Sequence, residues 1–150
     1  MLPRASEGVV VNYQSADDQS AVGFVDACIT THTTVNGSDT YAIMAGDGLD
    51  ATFTLENAGS TPTPYGYALW AALYHGDMGA AQEQVLDLQG FGAGLQHPGS
   101  VHFDWAQIAG SVTQVSEADD TWMLALAVTS NLNTIAAEVR LPFVIVPREA

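Results

Sequence analysis

Ala51-Thr52-Phe53-Thr54-Leu55-Glu56 alternates apolar and polar side chains one residue at a time. A period of two belongs to a β-strand, whose successive side chains point to opposite faces. Phe53 and Leu55 then face a core, while Thr52, Thr54 and Glu56 face water. The run ends in Asn57-Ala58-Gly59-Ser60, residues that favour a turn because Asn and Gly tolerate backbone conformations closed to most side chains. Val101-His102-Phe103-Asp104-Trp105 repeats the pattern, with Val101, Phe103 and Trp105 inward and His102 outward.

Working outward from this stretch, the same reading places strands near Val9–Tyr13, Ala21–Thr31, Thr40–Met44, Ala51–Asn57, Gly66–Tyr74, Gln84–Leu88, Ser100–Trp105, Trp122–Ser130 and Ile135–Val146. Turn signals separate them: Asn36-Gly37-Ser38, Gly46-Asp47-Gly48, Pro62-Thr63-Pro64, Gly76-Asp77, Gly90 to Gly94, Pro98-Gly99 and Asn131-Leu132-Asn133. Strands recurring every eight to twelve residues or so suit an antiparallel sandwich or barrel rather than βαβ units. Three stretches have helical character: Met78–Leu86, Trp105–Gly110 and Asn133–Arg140. The last reads mainly as strand, because alternation continues through Val139, Leu141, Phe143 and Ile145. The expected fold is therefore an all-β, two-sheet sandwich of one domain spanning 9–146. Met1–Gly8 and Pro147–Ala150 are terminal arms. Jelly-roll connectivity is the first expectation and an Ig-like order the alternative, since strand patterns do not reveal strand order.

Some strands are apolar on both faces. Tyr67, Leu69, Ala71 and Leu73 alternate with Ala68, Trp70, Ala72 and Tyr74; Trp122, Leu124, Leu126 and Val128 alternate with Met123, Ala125 and Ala127. A two-layer sandwich leaves one face of each strand wet, so these outer faces call for a cover: a long loop, the N-terminal segment, or another subunit.

The charge is lopsided. No lysine occurs in 150 residues; Arg4, Arg140 and Arg148 stand against 17 Asp and Glu, for a formal net charge of -14, while mean hydropathy is +0.12. Like-sign charge pushes a compact state apart, a burden that halophilic proteins carry. In molar salt the Debye length falls to about 3 Å and the repulsion is largely screened. The composition thus reads as adaptation to brine. It also disfavours nucleic-acid partners, which are bound by clustered Lys and Arg, and anionic bilayer surfaces. No apolar run approaches a membrane span, and Met1–Glu7 does not read as a secretory signal.

Candidate chemistry is sparse. Cys28 is the single cysteine and sits in a strand, where a thiol acts as a small hydrophobe. His75, His97, His102 and Asp104 would have to converge for a metal-dependent enzyme. Gly46-Asp47-Gly48-Leu49-Asp50 resembles acidic calcium loops without their full ligand pattern, and Asp119-Asp120 has the same standing. Gly90-Phe91-Gly92-Ala93-Gly94 carries neither a dinucleotide fingerprint nor a Walker lysine. Glu83 and Asp87 would share one face if Met78–Leu86 were helical. No nucleophile elbow is present. Neither a cofactor nor a catalytic residue is assigned. Tyr65, Tyr67, Trp70, Tyr74, Trp105 and Trp122 read as core filling, with a sugar-binding platform as the alternative.

Two resemblances go beyond the residue patterns. Ala51–Val146, with Thr54-Leu55-Glu56-Asn57-Ala58-Gly59-Ser60 and Val101-His102-Phe103-Asp104-Trp105, resembles small Ig-like adhesion modules, without the Cys pair of true Ig domains. The whole chain, lysine-free, acidic and built of short strands, resembles in type the small structural proteins of haloarchaeal viruses. That resemblance implies a non-enzymatic, self-assembling capsid, vertex, turret or tail component. Its partners would be further copies and other virion proteins, and it would assemble in the host cytoplasm. The contacts expected are Trp70, Tyr74 and Met123 on the apolar outer faces, and the scarce cations Arg140 and Arg148. The alternative is a protein- or carbohydrate-binding module of a halophile.

Overall fold

The computed structural model describes residues 9–12, 22–35, 38–57, 59, 66–76, 78–88, 92–108, 119–130 and 135–147. Among the described residues, ten strands and one helical turn follow in order: β1 (Val9–Asn12), β2 (Val22–Ile29), β3 (His32–Val35), β4 (Ser38–Met44), β5 (Leu49–Asn57), β6 (Tyr67–His75), β7 (Met78–Leu88), β8 (Gln96–Phe103), α1 (Trp105–Ile108), β9 (Asp119–Ser130) and β10 (Ile135–Val146). They form two sheets. The larger runs β3-β4-β10-β9-β6-β7 with β1 added on β10, and the smaller runs β2-β5-β8. The all-β sandwich expected from alternation is the architecture found. No described helix is long and apolar enough to cross a membrane.

β5, β6 and β9 bury the face that their alternation designates. Leu69, Ala71 and Leu73 of β6, Leu124, Leu126 and Val128 of β9, and Val139, Leu141 and Phe143 of β10 line the inner face of the larger sheet. Phe24, Ile29, Phe53, Leu55, Val101 and Phe103 answer from the smaller one. Phe24 and Phe53 meet edge to face with centroids 6.4 Å apart, the geometry that ring quadrupoles favour. Gly99 stands opposite Phe53 in the β5–β8 register, and a Cβ there would come within 2.5 Å of the Phe53 ring. The ring therefore covers the glycine.

Four local features depart from expectation. Met78–Leu86 is no helix but most of β7, paired along β6 through the turn at Gly76. Gly76 has φ +64°, which glycine adopts without steric cost, and closing that hairpin holds the segment extended. β3 was not among the expected strands; Val35 pairs with Ser38 across Asn36-Gly37, a dipeptide that favours tight hairpins. Trp105 ends no strand; it opens α1, inside the stretch Trp105–Gly110 that reads as helical in sequence. There the Asp104 N–H donates to Gln107 Oε1 at 2.8 Å and the Ile108 N–H donates to the Asp104 carbonyl, half of a capping box. Finally, the sandwich is not wholly antiparallel: β10 borders β1 antiparallel over Ala137–Arg140 and β4 in parallel over Val144–Val146. β4 and β10 are distant in sequence, so no hairpin fixes their relative direction.

Candidate binding groove on the outer face of the larger sheet

With Leu69, Leu73, Leu124 and Leu126 turned inward, strand geometry sends Trp70, Ala72, Tyr74, Met123, Ala125 and Ala127 to the opposite face. There they line a groove of 780 Å³ together with Gly76, Gln82, Thr129, Glu138 and Arg140. Its shape follows from register. In the middle row Gln82, Ala72, Ala125 and Arg140 lie side by side across β7, β6, β9 and β10. The row on one side places Trp70 beside Ala127 and Glu138; the row on the other places Tyr74 beside Met123. Methyl side chains at the centre and large ones around them make a trough with an alanine floor. Trp70 is half-buried and Tyr74 is 38% exposed, so both rings present surface to a ligand.

The rim is polar. Arg140 Nη2 lies 3.6 Å from Glu138 Oε1, and Gln82 and Thr129 add an amide and a hydroxyl. Together these groups both donate and accept hydrogen bonds. Among the described residues Arg140 is the sole arginine or lysine.

Four of the five contact residues expected from the sequence, Trp70, Tyr74, Met123 and Arg140, thus converge on one concavity. Arg148 and Arg4 lie outside the described residues, as does Tyr65. Gln82, Thr129 and Glu138 were not foreseen, because their neighbours across the sheet depend on strand order. The alanines alternating with leucines were the available signal.

The histidines separate. His75 stacks on Trp122 with centroids 4.6 Å apart. His97 is level with Leu55 and shares strand parity with buried Val101 and Phe103. Only His102 and Asp104 come together of the four candidate residues. His102 Nδ1 lies 2.7 Å from Asp50 Oδ1, and Nε2 lies 2.8 Å from Asp104 Oδ1. Asp50 most strongly, then Asp104, raises the His102 pKa above its ordinary value. Both ring nitrogens facing carboxylates is the pattern of an imidazolium, which alone carries two N–H donors. A Cβ on Gly48 would fall 2.6 Å from His102 Cε1, so a glycine there leaves the ring its place. No group of three or more His, Cys, Asp or Glu suited to a metal ion occurs among the described residues. Cys28 is half-buried on β2 with Sγ 3.6 Å from Thr52 Oγ1. Asp119 and Asp120 begin β9.

No protein-family model matches the chain, and no curated protein matches its sequence. Among solved structures it is similar to the crystal structure of the C-terminal domain of wzt, with a TM-score of 0.51 and 8% identity over 100% of this chain and 83% of that one. A weaker likeness, TM-score 0.41 and 13% identity, pairs 82% of this chain with 16% of β-glucosidase 3B from Thermotoga neapolitana, solved in complex with α-D-glucose. The first likeness is one of fold.

Proposed function

We propose that this chain is a non-enzymatic binding module that holds a carbohydrate in the outer-face groove. The observation that carries this reading is the pairing of Trp70 and Tyr74 with a polar rim around a floor of Ala72, Ala125 and Ala127. A sugar ring presents C–H faces that pack on aromatic faces, and hydroxyls that both give and take hydrogen bonds. Glu138 accepts, Arg140 donates, and Gln82 and Thr129 do both. Ligand sites of this kind are concave and largely preformed, with a few placed polar groups.

A second reading is favoured by the apolar share of the same face: a self-assembling structural protein, with a neighbouring copy seated where the sugar would lie. Tyr74 and Met123, with Ala72, Ala125 and Ala127, supply that apolar surface. This reading takes the sandwich as jelly-roll-like and the brine-adapted chain as a component of a haloarchaeal virus particle. Arg140→Ala would then lower assembly more than stability.

One experiment separates the readings. The purified chain in multimolar potassium chloride is titrated with soluble polysaccharides while its mass is followed by light scattering. Saturable binding by a monomer, weakened about tenfold in Trp70→Ala, supports the module. A defined oligomer or particle that forms with salt and ignores every sugar supports assembly and sinks the module.

A further inference from the structure

Trp70 and Tyr74 sit four residues apart on β6 and therefore on one face, separated by about 13 Å at ~3.3 Å per residue. That span exceeds a single sugar ring, and between the two aromatics the floor is only Ala72 with Ala125 beside it. Gln82 flanks this middle on the β7 side and Arg140 on the β10 side, each level with an alanine. The trough is therefore elongated along β6, with an aromatic platform toward each end and hydrogen-bonding side chains along both flanks.

Charge narrows the ligand further. Arg140 is already countered by Glu138 at 3.6 Å, and the chain as a whole carries -14. An acidic sugar would bring another carboxylate to a site whose one guanidinium is engaged, and burying an unpaired charge is costly. Neutral hydroxyls make no such demand and can bridge Glu138 and Arg140 as acceptor and donor at once.

Resting on the carbohydrate reading above, we infer that the groove takes an internal stretch of a neutral glycan chain lying along β6. Trp70 and Tyr74 stack on non-adjacent sugar units, and the unit between them crosses the alanine floor. The ligand class is a neutral oligo- or polysaccharide, not a monosaccharide and not a polyuronate. Ala125 is the position that keeps the middle of the trough open.

The test is calorimetric titration of the whole chain in multimolar potassium chloride. The probes are neutral gluco- and manno-oligosaccharides as mono-, di- and hexasaccharides, with oligogalacturonates of matched length as the acidic comparison. The hexasaccharide of a bound series should exceed its disaccharide in affinity by about tenfold or more, as engaging a second platform requires. Trp70→Ala and Tyr74→Ala should each forfeit about that factor. Ala125→Phe should abolish hexasaccharide binding while urea denaturation shows the fold intact, because residue 125 points away from the core. Equal affinity for monosaccharide and hexasaccharide, or tighter binding of the oligogalacturonate, overturns the chain-along-β6 inference and leaves sugar binding standing. Failure of every neutral and acidic saccharide to bind overturns both.

Discussion

His102 is a proton-dependent tie between β5 and the start of α1. It is the one described side chain with carboxylates on both ring nitrogens, Asp50 at 2.7 Å and Asp104 at 2.8 Å. Its folded pKa is raised, chiefly by Asp50 and then by Asp104. The protonated ring is favoured in the folded state, so its contribution to stability is fully present below the ordinary histidine value and is lost as pH rises through the raised folded value. Carbon-detected NMR should find His102 titrating above about 6.5, and Asp50→Asn should lower that midpoint more than Asp104→Asn does. A His102→Gln variant should lose the fall in thermal midpoint across the same interval; an unaltered pH profile would count against the tie. Gly99 makes a steric prediction at the same scale. Its alanine variant must displace the Phe53 ring, 2.5 Å from the new methyl group, and overpacking of this kind costs about 1–3 kcal/mol. Urea denaturation reads the loss directly.

A single strand can be cut into two functions, one per face. In β9, Leu124 is fully buried while Ala125 beside it lines the groove. Leu124→Ala should destabilise the protein by about 2–5 kcal/mol, the cost of a core cavity. Ala125→Phe should shift stability by no more than about 0.5 kcal/mol, as a surface substitution. If both variants lose stability alike in urea, the outer face is part of the core and the groove is not a site. β7 and β8 illustrate how edges are managed. Pro98 lies in β8, at the margin of the smaller sheet, where a missing N–H removes a handle for another strand. β7 carries irregularities in its pairing with β6 at Leu69/Trp70 and Leu73/Tyr74, and such bulges twist an edge away from flat pairing.

At the scale of the whole molecule, a net charge of -14 must be held on a chain of 150 residues. Self-repulsion of this size weakens as salt screens it. The thermal midpoint should therefore climb steeply from low salt and level off toward molar potassium chloride; a midpoint indifferent to salt would remove the brine adaptation from the account. Charge balance and the faces buried by β5, β6 and β9 were legible in the sequence. Alternation is a local property: once Phe53 and Leu55 point one way, Thr52 and Thr54 must point the other, and no distant residue is needed to decide it. Trp70, Tyr74 and Met123 could be assigned to an outer face for the same reason. What alternation does not encode is which strand lies next to which. Glu138 and Arg140 reach the groove only because β10 pairs with β9 and β9 with β6, and Gln82 reaches it only because Met78–Leu86 is a strand rather than a helix. Ala72 and Ala125 become a floor solely when level with one another. Strand neighbours are set by the packing of two sheets around a shared core, a long-range balance of burial and backbone hydrogen bonding, and so the tertiary structure alone turned a pair of two-faced strands into a groove.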